Sequence, residues 1–150
     1  MTKITLKPFC KKMHDTRKCK NTNIYPKYYI TDDKHRDFKD LMRFCKKNKT
    51  TIDDTMIILG DSGFNYYGDK QNELLKKRLS KINITLFCIH GNKEDYPENI
   101  GTYAIKEFCG GIVYYEVKFP NILFAKYCEV YQFDDKSAIV VGGAHSVDKL

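Results

Sequence analysis

The run TMIILGDSG, residues 55–63, passes within four positions from an unbroken apolar stretch to glycine, aspartate and serine. Four consecutive apolar residues, Met56–Leu59, bounded by glycine read as a strand buried on both faces, because a half-buried strand would alternate with polar residues. The polar residues then fall at the carboxyl end of that strand. Upstream, Phe38, Leu41, Met42 and Cys45 recur at i, i+3, i+4 and i+7, one face of a helix, with Asp37 at its start to accept free backbone N–H groups. Before it, YYIT at 28–31 is a short β-rich run. Downstream, Leu74, Leu75, Leu79 and Ile82 mark a second helical face, and ITLFCIH at 84–90 is a second continuous apolar strand. Strands apolar on both faces and separated by amphipathic helices predict a parallel sheet covered on both sides.

The pattern then changes. GGIVYYEV at 110–117, ILFA at 122–125, EVYQFD at 129–134 and SAIVVGG at 137–143 are short strands with brief polar links, which predicts antiparallel pairing. There is no repeat and no low-complexity linker. The expected architecture is one α/β sandwich over residues 28–150: a parallel β-α-β-α-β half followed by a mainly antiparallel meander.

The charge is uneven. The net charge is +7, and residues 1–27 carry eight basic residues against Asp15 alone, so residues 28–150 balance to zero. The body therefore has no basic bias of the kind a nucleic-acid groove needs. Residues 1–27 read as a basic extension whose Lys11, Lys12, Arg17, Lys18 and Lys20 are the candidates for contacting nucleic-acid phosphates. The same composition suits a solvated extension.

Six cysteines are spread without a CxxC pair, which favours reduced thiols, with Cys45 and Cys88 as small core residues. Cys10, His14 and Cys19 form a weak zinc candidate that lacks an evident fourth ligand. No apolar run approaches a membrane span, and the N-terminus has no apolar signal core. A cytoplasmic protein without membrane contact is the expectation.

Ligands of parallel α/β sheets gather at the carboxyl ends of the strands. There the sequence places Asp32-Asp33-Lys34-His35, Gly60-Asp61-Ser62-Gly63 and His90-Gly91-Asn92-Lys93-Glu94. Singly, each is an ordinary turn or helix start. In order, on three successive strands, they bring carboxylate, imidazole and amide donors to one rim, a set suited to divalent cations.

These residues resemble the D-x-H, GD and GN motifs of calcineurin-like metallophosphoesterases: DDKH, LGDSG and HGNKE in this chain. The wider wording is similar to a bacterial and phage-associated branch of that family: YYITDDKHRDF, IILGDSGFNYYG, LFCIHGNKEDYPENIGTY, FCGGIVYYE and VVGGAHSVDK. The likeness spans residues 28–150 and implies a metallophosphoesterase-like sandwich with one or two divalent ions (Mn, Fe, Ni, Zn or Mg). By that resemblance Asp33 and His35 hold one ion, Asp61 bridges, and Asn92 binds the second. Asp61 and Lys93 are then the catalytic candidates, with Lys93 standing where many relatives carry histidine and able to stabilise charge without donating a proton near neutral pH.

Two departures bear on activity. Asp32 replaces the glycine that usually precedes the first aspartate, adding a carboxylate beside the site. Family members also continue beyond GGAHSVDK into a further ligand histidine and a G-H-x-H motif, so the resemblance implies a C-terminally truncated domain; His14 and His145 are the histidines left to substitute. The expected function is divalent-metal-dependent hydrolysis of a phosphoester. The alternative is an inactive scaffold acting as a binding module, as a homodimer or on a protein partner that covers the truncated edge, by analogy an inhibitor of a host nuclease. In either case the basic head can contact nucleic acid.

Overall fold

A computed structural model of the protein describes residues 2–3, 25–66 and 70–143. The chain is mixed α/β. Strands β1 (Thr2–Lys3), β2 (Tyr28–Thr31), β3 (Thr55–Leu59), β4 (Thr85–Ile89), β5 (Ala104–Phe108), β6 (Gly111–Tyr115) and β7 (Ile122–Ala125) form one sheet in the order β1-β2-β3-β4-β7-β6-β5. Strands β8 (Val130–Phe133) and β9 (Lys136–Ile139) form a separate two-stranded sheet. Helix α1 (Lys39–Asn48) joins β2 to β3, and α2 (Lys70–Leu79) joins β3 to β4.

The parallel half is as expected: β2 pairs parallel with β3, and β3 with β4. The second half departs from a simple meander. ILFA does not hairpin onto its sequence neighbours alone; β7 inserts beside β4 and runs parallel to it, with Leu86 opposite Ile122 and Cys88 opposite Phe124. The reason is visible in its burial, since all four β7 residues are buried, the signature of an interior strand. Strands β6 and β5 then extend the sheet antiparallel. β5 connects through a two-residue turn at Cys109 and Gly110, both at positive φ, as the twist of a tight hairpin requires. At the other edge, β1 pairs antiparallel with β2, so residues 2–3 of the expected N-terminal extension belong to the sheet.

Both crossovers step the same way along the sheet. Right-handed connections therefore put α1 and α2 on the same face, where Phe38, Leu41, Cys45 and Leu79 pack with Met56, Ile58, Leu86, Cys88, Ile122 and Phe124. The strands' alternate residues, Ile57, Phe87, Leu123 and Val113, point the other way and meet Tyr131 and Phe133 of β8 and Val140. Period-two alternation thus splits each continuous apolar run between two cores. Helices cover one face and the β8–β9 hairpin the other. The Tyr131 hydroxyl fixes the hairpin: it donates to Ile112 O at 2.6 Å and accepts from Lys126 N at 2.8 Å, and burial pushes its pKa up to about 12.

Asp37 accepts from Lys39 N at 3.1 Å at the start of α1, as its position predicted. Cys45 and Cys88 are buried free thiols, with Cys109 and Cys128 also unpaired in disulfides. No helix among the described residues is long and apolar enough to cross a membrane. Cys10, His14, Cys19 and His145, and the head residues Lys11, Lys12, Arg17, Lys18 and Lys20, lie outside the described residues.

Candidate metal centre

The carboxyl tips of β2 and β3 are sewn together by backbone bonds, and that of β4 joins them through the Asp61 side chain. Lys34 N and His35 N both donate to Asp61 O, at 3.1 and 2.8 Å, and Arg36 N donates to Ser62 O at 3.2 Å. His35, Arg36 and Asp61 all take positive φ, the cost of folding the first tip down onto the second. Asp61 in turn accepts from Lys93 N through its Oδ1 at 3.0 Å. Here glycine is required at residue 91, because a Cβ built there would collide with the backbone nitrogen and the carboxylate of Asp61. Gly91 is thus the reason the β4 tip can approach Asp61 at all.

Glu94 ties the second and third tips from below. It is 1% exposed, and its Oε1 accepts from Ser62 Oγ at 2.6 Å, Gly63 N at 2.7 Å and Phe64 N at 3.1 Å. Burial pushes its carboxyl pKa up, and the three donors pull it back toward the ionised form. Its Oε2 is buried without a hydrogen-bond partner. The sequence reading passed over Glu94 because an acidic residue after a Gly-Asn turn ordinarily faces water; its only signal was its place at the end of HGNKE.

Three of the expected ligands share one cleft of about 410 Å³: Asp33, Asp61 and Asn92, joined by Asp32 and His90. Asp61 is buried, at 6% exposure. His35 is not among the cleft-lining residues but touches one of them. Its Nε2 lies 2.6 Å from Asp33 Oδ2, and its Nδ1 is hydrogen-bonded to the Tyr66 hydroxyl at 2.8 Å. A carboxylate only accepts, so Nε2 carries the proton, and in the neutral ring Nδ1 accepts from Tyr66. Tyr66 is a second residue that the sequence reading missed. Lys93 is exposed and its side chain does not line the cleft; its described link to the site is its backbone N–H on Asp61.

The fit of a cation to these residues can be judged from the donors themselves. Among the described residues, three carboxylates, Asp32, Asp33 and Asp61, line the cleft, and no lysine or arginine does. At its edge Lys34 Nζ meets Asp32 Oδ1 at 2.9 Å, and that hydrogen bond lowers the Asp32 pKa. An anionic hollow of this kind attracts cations and repels a bare phosphate. Among the described residues, no three His, Cys, Asp or Glu side chains gather closely enough to grip an ion by themselves. Asp33 and His35 are engaged with each other, and Asp61, the Asn92 amide and the His90 ring also line the cleft. By charge and donor chemistry the set suits a hard or borderline divalent cation.

A larger hollow of about 620 Å³ lies beside α2. Its buried cation is already satisfied: Lys76 Nζ donates to Glu116 Oε2 at 2.6 Å and to the Tyr103 hydroxyl at 3.0 Å. Those groups serve to hold α2 against the β5–β6 end of the sheet. No protein-family model, no curated protein and no solved structure matches this chain.

Proposed function

We propose that the protein is a metallophosphoesterase-like hydrolase, which uses a divalent cation held at the β2, β3 and β4 tips to cleave a phosphoester. One observation carries the reading: Asp33, Asp61 and Asn92, following three adjacent parallel strands, line a single cleft that, among the described residues, is also lined by Asp32 and by no lysine or arginine. The resemblance of DDKH, LGDSG and HGNKE to the family's motifs supplies the roles. Asp33 and His35 would hold one ion, Asp61 would be shared, and Asn92 would serve a second.

The bound cation would supply Lewis-acid charge for phosphoryl oxygens and for water. The chain's own residues do the positioning. Asp61 is fixed by Lys93 N at its carboxylate and by Lys34 N and His35 N at its carbonyl. Glu94 immobilises the loop that follows it. Tyr66 orients the His35 ring toward Asp33. Lys93, whose exposed side chain is not part of the cleft lining, contributes its backbone N–H to Asp61.

The test is hydrolysis of bis(4-nitrophenyl) phosphate with Mn²⁺, alongside calorimetric Mn²⁺ binding. Wild type should show metal-dependent turnover, and Asp61→Asn should lower it by at least about 100-fold. Equal rates in the two proteins, or no Mn²⁺ binding, would sink the reading.

A second reading, a recognition module on the same scaffold, is favoured by one feature. Among the described residues β9 pairs only with β8, and its Ile139 is 63% exposed. An open apolar edge is a template for pairing with a second copy or another protein. Light scattering that gives a dimer, together with absent Mn²⁺ binding, would select this reading over the first.

A further inference from the structure

The lining of the cleft divides by chemistry. Beside the carboxylates, Asn92 and His90 it contains Leu59, Ile89 and Val141. Leu59 is anomalous on its own strand: Met56 and Ile58 are wholly buried and Ile57 nearly so, yet Leu59 is 52% exposed at the step just before Gly60 and Asp61. Val141 is 66% exposed, but its backbone is not loose. Gly143 N donates to His90 O at 3.0 Å. A Cβ on Gly142 would crowd that same carbonyl. The two glycines therefore let the chain lie directly across the β4 tip, and Val141 is held in place as part of the cleft.

We propose that the ligand of this cleft is a phosphoester with an apolar substituent, aryl or alkyl, next to phosphorus, whose hydrocarbon part rests on Leu59, Ile89 and Val141. The inference rests on the metal-dependent reading of the cleft given above. A cation at Asp33, Asp61 and Asn92 would draw the phosphoryl oxygens to the polar part. The substituent then meets side chains with no hydrogen-bonding capacity, where sugar hydroxyls would lose water without gaining a partner and hydrocarbon would lose water favourably. The volume, about 410 Å³, is in the range of pockets that enclose a small organic ligand.

The experiment is calorimetric titration of the full chain, with Mn²⁺ in excess, by phenylphosphonate and by methylphosphonate. Neither is a phosphoester that can turn over, and they differ only in the substituent. Phenylphosphonate should bind about tenfold tighter. Leu59→Ser and Val141→Ser should each shrink that ratio toward one. Equal affinity of wild type for the two overturns the proposal while leaving a cation-dependent phosphoryl site standing. Failure of both to bind overturns the proposal and the metal-dependent reading together.

Discussion

On the helical face of the sheet, Leu41, Met56, Ile58, Leu79 and Leu86 are wholly shielded from solvent, whereas on the hairpin side Phe87 and Val113 are buried but Leu59 is 52% exposed. The two faces are built from the same strands, so the contrast comes from their covers. A helix lays a broad apolar stripe over several strands at once. The β8–β9 hairpin offers inward side chains from one strand, chiefly Tyr131 and Phe133, which reach Phe87. They do not cover Leu59 at the carboxyl tip of β3, beside the point where the polar loops converge. The lesson is a division of labour: the closed face supplies stability, and the incomplete cover of the other face supplies a cleft.

Four substitutions probe that division. The largest loss should come from Glu94→Ala, which strands the hydroxyl of Ser62 and the N–H groups of Gly63 and Phe64 in the interior. About 3–5 kcal/mol by urea denaturation is the expectation, and a loss below about 1 kcal/mol would show that the tips are held by their backbone bonds alone. Leu41→Ala on the closed face should cost about 3 kcal/mol. Tyr131→Phe removes both hydrogen bonds of the hairpin anchor and should cost about 1–1.5 kcal/mol, read by the same unfolding curves; no change would mean the ring's packing alone fixes the hairpin. Leu59→Ala, at the open tip, should fall within about 0.5 kcal/mol of wild type. Were Leu59→Ala as costly as Leu41→Ala, the two faces would be energetically alike and the contrast would fail.

The smallest effect concerns pH. Lys34 lowers the Asp32 carboxyl pKa in the folded chain. The folded state then binds fewer protons than the unfolded state in the window below the ordinary aspartate value of 3.8. Stability from this contact is present above that value and is lost as pH falls through the lowered one. Asp32→Asn should therefore give a slightly flatter acid limb in a plot of unfolding midpoint against pH, and an identical limb would show the exposed pair to contribute nothing.

Much of this was legible in the sequence, for reasons that also mark where legibility stopped. The buried runs at 55–58 and 85–88 and the helical face around Leu41 could be read because burial on both sides of a strand, or on one side of a helix, leaves a periodic trace. The expected face of the second helix is met only in part, since Leu74 is 67% exposed while Asn72 and Lys76 are buried beside Leu79, and Ile82 falls beyond the helix end. The convergence of Asp33, Asp61 and Asn92 followed from their placement at strand tips. Strand β5 left no such trace. It is an outer strand carrying Lys106 and Glu107, with Ile105 65% exposed, and a charged edge reads as loop. The parallel pairing of β7 was hidden because four residues are too few to separate an interior strand from a hairpin arm. Glu94 and Tyr66 escaped because their work lies in partners distant along the chain. Lys93, expected at the reacting centre, has its side chain outside the cleft lining; a backbone amide, which no side-chain pattern reveals, is what it gives to Asp61.

The position of β7 carries a consequence for how the molecule assembles. Its neighbour β4 finishes at Ile89, yet the strand that completes the hydrogen-bonding edge of β4 begins only at Ile122. A chain emerging from the ribosome must keep that edge bare while more than thirty further residues are made. The middle of the sheet, not its margin, is then the last part to close, and the exposed backbone of Leu86 to Cys88 is the stretch most open to intermolecular pairing in the interval.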